Sequence, residues 1–304
     1  MQNPDPASPL EIKFPADRDG QAWLYEPTHT YIVNGTRVHN SVTKIIGKHF
    51  PKFQLEAALS YYESWKANKN SKYGMLIRYL QVMERKDDNA CRKSIAALWK
   101  REGELSSAAG TAMHRDFQFI CEGKPPPQGD TNEVTQFNSW MRDFSEMYKL
   151  DPWRAEWVIY LKHQGRIVVC GQVDLVMKHR EREEYWCIDY KRKDPTPKYA
   201  GGPQLILGEP VSSKFDEDEG VGPFEGLPAT DFSKYTAQLN AYGYIAATEY
   251  GIDFRDRMCL LQVHPNLPAP NLVRVERLDD AMEALFALEI ADMAPAELPD
   301  VTNA

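Results

Sequence analysis

The stretch AEWVIYLKHQGRIVVCGQVDLVMKHREREEYWCIDYKRK, residues 155–193, contains three apolar runs separated by polar turns. A Gln-Gly pair at positions 164 and 165 divides the first two runs, and the charged segment HREREE divides the second from the third. Short apolar runs bounded by such turn signals are typical of strands. The stretch therefore predicts an antiparallel meander of three strands.

The third run ends with an acid and a base two residues apart, Asp189 and Lys191. Residues i and i+2 of a strand point to the same face, so these charges lie side by side, while Trp186 and Ile188 face the other way. Two interpretations fit this pattern. One is a strand that enters solvent with a surface ion pair, and the other is a metal site with a catalytic lysine.

Helical patterns precede the meander. The segment THTYIVNGTRVHNSVT predicts a hairpin around Asn34-Gly35, and Ser41 is expected to cap a short helix that Pro51 stops. Helical periodicity then continues to the Pro-Pro-Pro run at 125–127, and a further helix is expected over about 131–148.

A long Pro- and Gly-rich loop with the acidic run DEDEG, residues 194–230, follows the meander. A helix, two strands and a last helix complete the chain. This order predicts an α+β (mixed α/β) fold in a single domain, residues 21–294, with a small mixed sheet flanked by helices and an α-helical N-terminal half. Residues 1–20 are predicted to form a flexible arm, and residues 295–304 a flexible tail.

Composition limits the class of protein. With 42% hydrophobic and 26% charged residues the chain is typical of a globular protein. The apolar runs are too short to cross a bilayer, and the first residues do not have the pattern of a secretion signal, so we expect an intracellular, cytoplasmic protein without membrane contact. The five cysteines are scattered without a CxxC pair, which favours free thiols and disfavours a zinc or iron–sulfur site.

The charge is unevenly distributed. The whole chain has a formal charge of −8, but residues 44–101 contain 13 Lys or Arg against 5 Asp or Glu, interleaved with aromatic residues. Such a segment suits nucleic-acid binding, with backbone contacts and base stacking. Amphipathic helices with buried aromatics and solvated lysines would give the same pattern. If the segment binds DNA, it would form one wall of the DNA channel.

Two carboxylates are expected to meet at one end of the meander. Asp174 lies on the middle strand and Asp189 on the next, and a short hairpin brings them close. Two adjacent carboxylates repel each other unless a cation lies between them, and oxygen ligands suit Mg²⁺ or Mn²⁺. Lys191 could orient or deprotonate a water there. This combination is suited to cleaving a phosphodiester.

Two helical segments carry further candidates. GTAMHRDF places His114 four residues after Gly110, and KYTAQLNAYGYI places Tyr235, Gln238 and Tyr242 on one helical face. In chain order the motifs are G-T-x-x-H, E-W, G-x-x-D, D-Y-K and Q-L-x-x-Y. Together they resemble the PD-(D/E)XK nuclease superfamily, and within it the RecB-like exonuclease branch, over residues 40–265.

The resemblance implies a role for each matched residue. Asp174 and Asp189 would bind metal ions, with help from the main-chain carbonyl of Tyr190. His114 would bind metal from the helical side, and Lys191 would activate the attacking water.

Substrate contacts are implied for Gln238 and Tyr242, which would hold the scissile strand or support Lys191. Ser41 and Thr43 could touch a phosphate at a helix N-terminus, or Ser41 could simply be a helix cap. A supporting position around the ligands is implied for three residues: Glu156, Gly110 and Thr111.

The sequence departs from the family pattern in three ways. Gln118 stands where many relatives have a Glu, which would weaken a second metal site. The cysteines of the iron–sulfur subgroup are absent, so no cluster is expected. The loop 194–230 is long, and it would guard the groove, sort substrates, bind a partner or be a disordered insertion.

The function implied is a Mg²⁺- or Mn²⁺-dependent DNA nuclease, an exonuclease that acts on DNA ends in replication, recombination or repair. Its partners would be DNA, single-stranded or with free ends, and a recombination or replication protein. A structure-specific or nicking endonuclease is the alternative within the enzyme class. A DNA-binding or assembly protein that keeps the fold without catalysis is the alternative outside it.

Overall fold

The computed structural model describes residues 6–194, 218–254 and 256–293. The chain forms two compact units. We call Met1–Pro51 with Met113–Ala304 the sheet unit, and Lys52–Ala112 the helical unit. Each is described by itself.

The strands form two sheets, both in the sheet unit. A three-stranded antiparallel sheet has the order β1-β2-β3, and a five-stranded sheet has the order β4-β5-β6-β7-β8. The strands are β1 (Ala22–Tyr25), β2 (Thr30–Val33), β3 (Thr36–Val38), β4 (Leu150–His163), β5 (Arg166–His179), β6 (Tyr185–Arg192), β7 (Met258–Val263) and β8 (Asn271–Arg274). Neighbouring strands are antiparallel except β6 and β7, which are parallel.

In the order of the sequence, the described helices precede, separate and follow these strands. They are α1 (Pro9–Lys13), α2 (Val42–Ile46), α3 (Leu55–Leu59), α4 (Tyr62–Ala67), α5 (Lys72–Val82), α6 (Asp88–Cys121), α7 (Asn132–Tyr148), α8 (Asp231–Tyr250) and α9 (Asp279–Ala291). The α+β class is confirmed, and so is the three-strand meander β4–β6. None of the helices in the described ranges is long and apolar enough to cross a membrane.

The expected hairpins form where their turn residues predict them. Asn34 and Gly35 connect β2 to β3, and Gln164 and Gly165 connect β4 to β5. All four have positive φ, between 48° and 79°. Asn and Gly tolerate this left-handed conformation, so Asn34-Gly35 favours a two-residue turn at both positions, and Gly165 favours it at the second position of the Gln164-Gly165 turn.

The five-stranded sheet is buried on both faces. Side chains of α2, α8 and α9 pack on one face, which we call the α8 face, with Val173, Cys187 and Leu260 of the sheet. The C-terminal part of α6 and α7 pack on the other, the α7 face, with Leu175 and Ile188 of the sheet. Burial on both faces explains why these strands read as nearly continuous apolar runs.

The described part of the N-terminal segment, residues 6–20, differs from the flexible arm expected for residues 1–20. Ser8 and Glu11 form a capping box at α1, and Leu10 is buried on the α7 face. Asp19 forms an ion pair at 2.7 Å with Arg154, which is only 2% exposed. A buried guanidinium needs a counter-charge, so Arg154 fixes the segment to the sheet through a contact that local sequence does not reveal.

The long loop and the tail are described only in part. Residues 195–217 and the predicted flexible tail 295–304 lie outside the described residues. The end of the loop, residues 218–230, belongs to the sheet unit and packs against other parts of it. Phe224 is buried and stacks on Phe50 at 5.2 Å between ring centres. This part of the loop is therefore ordered by the core rather than a solvated insertion.

The helical unit has its own small core of six side chains: Leu59, Tyr62, Ile77, Leu80, Cys91 and Ile95. Within its described residues the aromatics divide between the two expectations. Tyr62 is fully buried, whereas Phe53, Tyr61 and Tyr79 are exposed. The buried Tyr62 fits amphipathic helices with buried aromatics, and the exposed aromatics fit nucleic-acid binding. That residues 44–101 form one wall of a DNA channel stays a prediction.

Candidate active site

The site begins where β5 and β6 separate. Their pairing ends at Leu175 and Ile188, so Asp174 and Asp189 occupy the next positions on the two strands. Beyond that point the backbone N–H of Tyr190 donates to Oδ2 of Asp174 at 2.6 Å. The Asp174 carboxylate accepts the hydrogen bond that a backbone carbonyl of a paired strand would otherwise accept. This contact holds the carboxylate between the two separating strands.

Strand β5 changes face at Asp174. Val173 packs on the α8 face, but Leu175 packs on the α7 face although the two residues are two positions apart. Strict alternation would keep them on one face. A local interruption of this kind re-aims a side chain, as bulges do beside active sites.

Glu156 on β4 lies at the matching irregularity. Its neighbours Ala155 and Trp157 pair with Leu175 and Val173, which places Glu156 opposite Asp174. The φ of Glu156 is +50°, a left-handed value that is uncommon for a residue inside a strand. Such local strain is found mainly where surrounding structure enforces it, often at functional sites. Both carboxylates are therefore aimed by departures from regular strand geometry.

His114 on α6 meets these two carboxylates. Its Nδ1 lies 3.2 Å from Oε1 of Glu156 and 3.5 Å from Oδ1 of Asp174. One ligand atom from each of the three residues lies within 4.8 Å of the others. Burial lowers the pKa of His114, but Asp174 and Glu156 outweigh it and raise that pKa to about 9. When no metal ion is bound, the positive charge of the protonated His114 imidazole offsets the negative charges of Asp174 and Glu156.

Asp189 and Lys191 share the α8 face of β6, as the period-two pattern predicts. Asp189 is 1% exposed, and its Oδ2 contacts Nζ of Lys191, while its Oδ1 has no hydrogen-bond partner among the described residues. Burial, with a contribution from the negative charge of Asp174, raises the pKa of Asp189 to about 6. A buried carboxylate oxygen without a partner is costly unless a cation or water meets it.

Lys191 remains charged in this setting. Burial lowers the pKa of its amine, but the charges of Asp189 and Asp174 outweigh that effect and the net shift is upward. In this state Nζ is an ammonium that donates hydrogen bonds and cannot accept a proton. The geometry therefore favours the orienting and charge-stabilising role over the role of a base.

The donor atoms fit a divalent cation. One imidazole nitrogen and carboxylate oxygens from Asp174 and Glu156 lie within 4.8 Å of one another, and Oδ1 of Asp189 on the neighbouring strand is a buried acceptor with no hydrogen-bond partner among the described residues. Mg²⁺ prefers oxygen ligands, whereas Mn²⁺ accepts both oxygen and imidazole nitrogen. Glu156, which the sequence suggested only as support, thus has the position of a ligand. In the sequence, the sign of this position is that Glu156 is a single acidic residue inside an apolar run.

Gln238 and Tyr242 lie on α8, facing the strands. Nε2 of Gln238 donates to the Tyr242 hydroxyl at 2.7 Å. Burial, together with the nearby charges of Asp189 and Asp174, holds the pKa of Tyr242 well above its ordinary value. Its phenol is therefore a neutral donor beside the two aspartates.

Gly171 makes room for Tyr242. A Cβ added there would lie 2.5 Å from Cε1 of Tyr242 and 3.0 Å from Cγ2 of Val42. We expect Gly171→Ala to destabilise the protein by about 1–3 kcal/mol, because both neighbours are buried and the overpacking cannot relax. Thermal unfolding measures this.

The control for that substitution is Gly103→Ala on α6, where an added Cβ meets nothing within 4 Å. Ala in a helix interior is more favourable than Gly by about 0.5–1 kcal/mol. The control should therefore be neutral or stabilising. Equal stability of the Gly171→Ala protein and the original would contradict the close contact with Tyr242.

Four candidates from the sequence remain: Ser41 and Thr43 in the sheet unit, and Gly110 and Thr111 in the helical unit. The Ser41 hydroxyl accepts from the N–H of Lys44 as a helix cap, and Thr43 is exposed. Gly110 and Thr111 lie on α6, one turn before His114 in the sequence of the helix, and a Cβ at Gly110 would meet nothing within 4 Å. None of these four has a described contact with the cluster.

Metal binding should release a proton from His114. At pH 7.5 an imidazole with a pKa of about 9 is protonated, and it must become neutral before it can bind a metal ion. Titration with Mn²⁺ should therefore release roughly one proton per ion bound. Isothermal calorimetry in two buffers of different protonation enthalpy measures the release.

The sign of the pH dependence follows from the same shift. The pKa of His114 is raised in the folded protein, so its stabilising contribution is complete below pH 6.5 and is lost as pH rises through about 9. Proton release should decline over the upper part of that range. The His114→Gln variant should bind Mn²⁺ without releasing this proton. The same release from both proteins would exclude His114 as its source.

Comparison with known proteins adds little. No family model matches the sequence, and no curated protein matches it. Among 11 matching chains of solved structures, the crystal structure of SSO0001 aligns over 53% of this chain and 59% of that chain, at 11% identity and a TM-score of 0.25. The match spans about three fifths of that neighbour's length. At this TM-score the likeness supports no fold or function.

Proposed function

We propose that the chain is a divalent-metal-dependent deoxyribonuclease of the PD-(D/E)XK type, and that it acts as an exonuclease on DNA ends. The observation that carries the proposal is the meeting of Asp174, Asp189 and Lys191 at the fork between β5 and β6. His114 and Glu156 complete the group from α6 and β4. The motif resemblance supports the same assignment.

The burial of these charges supports a catalytic rather than a surface role. Lys191 and Asp189 have side chains that are 15% and 1% exposed, so they do not form the solvated ion pair that was the alternative. Buried charges contribute little net stability and are costly to assemble. Their assembly is understandable if a cation and a phosphodiester use them.

Each residue would have a defined task. His114, Glu156, Asp174 and Asp189 would hold Mg²⁺ or Mn²⁺, which when bound neutralises phosphate charge and activates water. The Lys191 ammonium would donate to the attacking water or to a phosphate oxygen and stabilise the negative charge that develops. Tyr242, held by Gln238, would donate its hydroxyl proton in a hydrogen bond to a phosphate.

The decisive experiment is digestion of end-labelled DNA, single- and double-stranded, linear and covalently closed circular, with Mg²⁺ or Mn²⁺ and with EDTA as the control. An exonuclease degrades the linear forms and leaves circles intact. Cleavage of circles would replace the exonuclease by an endonuclease. Metal-dependent DNA binding without turnover would instead favour the non-catalytic DNA-binding protein.

A further inference from the structure

Helix α8 runs beside the end of β6 and contacts Lys191 on that strand and Lys193 just after it. The Asp231 carboxylate pairs with Nζ of Lys193, and the ring centre of Tyr235 lies 4.5 Å from Nζ of Lys191. Asp231 and Tyr235 are four residues apart, a rise of about 6 Å along a helix. Lys191 and Lys193 are two residues apart across the end of β6, and two residues of extended backbone span about 6.6 Å. The helix and the strand therefore match in spacing and run in opposite directions.

The two lysines are engaged in different ways. A carboxylate such as Asp231 binds an ammonium by accepting its hydrogen bonds. An aromatic ring face attracts the charge without occupying a particular N–H direction. Lys191 is held by the Asp189 carboxylate and by a ring, so N–H donors remain for a water or a phosphate oxygen.

The contact between Lys191 and Asp189 depends on what else the Asp189 carboxylate binds. When Asp189 shares its oxygens with a cation, its attraction for the ammonium weakens, because the two positive charges compete for one carboxylate. The ring of Tyr235 does not take part in that competition. Of the described contacts of Lys191, the one with the Tyr235 ring does not depend on the charge of a metal-binding carboxylate.

We propose that Tyr235 is the positioning residue for Lys191, holding its ammonium beside Asp189 by a cation–π contact. This inference rests on the proposed nuclease function, since Lys191 is the group that would meet the water or the phosphate. The contact uses the ring face. It follows that phenylalanine can replace Tyr235, whereas an aliphatic residue of similar size cannot.

The kinetic test compares two substitutions with linear DNA and Mn²⁺. Tyr235→Leu should lower kcat roughly three- to thirtyfold, the range of a partly buried cation–π contact, with KM within about twofold. Tyr235→Phe should keep kcat close to the original. Equal losses in both variants, or a loss in KM alone, would overturn the proposal.

The matched control is Tyr244→Leu. Tyr244 lies on the same helix and stacks on Phe286 at 4.6 Å between ring centres. Loss of that stack should lower the melting temperature without lowering kcat. If kcat falls as much as in Tyr235→Leu, general loosening of α8 explains both results and the positioning role is wrong.

A second measurement does not require cleavage. Protein labelled with ¹³C at the lysine ε-carbon gives a signal for Lys191 that Lys191→Arg removes and so assigns. The ring current of Tyr235 should move the ε-protons upfield, and Tyr235→Leu should abolish this shift while Tyr235→Phe and Tyr244→Leu keep it. An unshifted Lys191 signal in the original protein overturns the proposal.

The two measurements separate this inference from the proposed function. A ring-current shift in a protein that cuts no DNA under any condition would refute the nuclease assignment, and with it the catalytic purpose of the contact. Normal kcat in Tyr235→Leu, with Lys191→Ala inactive, would refute the positioning role and leave the nuclease intact.

Discussion

Replacing Asp174 by Asn is expected to reduce metal-dependent DNA cleavage on the order of a thousandfold, because several kcal/mol of electrostatic stabilisation disappear with the ligand charge. Asn has nearly the same shape, and its side-chain oxygen can still accept the Tyr190 N–H that Asp174 accepts at 2.6 Å. The loss should therefore come from the missing charge and not from a distorted strand.

The stability of this variant should stay close to the original. Burial raises the pKa of Asp174 even though His114 opposes the shift, so the ionised carboxylate is costly in the folded protein. Removing it relieves that cost and also removes one partner of the His114 cation. The two effects oppose each other, and we expect the free energy of unfolding to change by no more than roughly 1 kcal/mol.

The matched control is Asp116→Asn. Asp116 also lies buried in the sheet unit, 1% exposed, and accepts the Gln128 N–H at 2.9 Å, but it has no described contact with the cluster. Its variant should cleave DNA normally and bind Mn²⁺ with unchanged affinity. Cleavage by Asp174→Asn at the original rate would remove this residue from the catalytic group.

Local pattern was sufficient for most of the fold. Strands β4 to β6 follow from apolar runs and turn pairs, and the period of two correctly places Asp189 and Lys191 on one face. The same period fails at Asp174 and Glu156. There the backbone departs from regular geometry, and Glu156 adopts a φ of +50° that its residue type does not suggest. The carboxylate cluster depends on this departure.

Long-range contacts account for the other differences. The first residues lack periodicity, but Asp19 meets Arg154, more than a hundred residues away, and the ion pair holds the segment on the sheet. The helical periodicity expected before the Pro-Pro-Pro run includes one long helix, α6, which continues through Gly103 and Gly110. Glycine costs about 0.5–1 kcal/mol relative to Ala in a helix interior, so the two glycines disfavour the helix without ending it.

Lys191→Ala is expected to lower cleavage on the order of a hundredfold or more, as for loss of a positioned proton donor or charge stabiliser. KM should change little if Lys191 acts mainly as charge develops. Unlike Asp174→Asn, this variant should also lose stability. Asp189, which is 1% exposed in the original protein, would lose its counter-ion, and breaking a buried pair on one side costs roughly 3–5 kcal/mol if the charge persists.

The loss of stability should depend on pH. The pKa of Asp189 is already about 6, and removal of the ammonium raises it further. A carboxyl with a raised pKa in the folded state binds its proton more tightly there than in the unfolded chain. Stability therefore falls as pH rises from the unfolded pKa to the folded one. Urea unfolding in EDTA should show a larger difference from the original protein at pH 8 than at pH 6.

The double variant Asp189→Asn with Lys191→Ala identifies the cause. It contains no buried unpaired charge at this position, so it should regain much of the lost stability and lose the added pH dependence, although it stays inactive. Comparison with both single variants isolates the pair's coupling energy. If Lys191→Ala is as stable as the original at both pH values, Asp189 is hydrated or neutral without its lysine. The burial of Asp189 and its unpartnered Oδ1 would then no longer support a cation site.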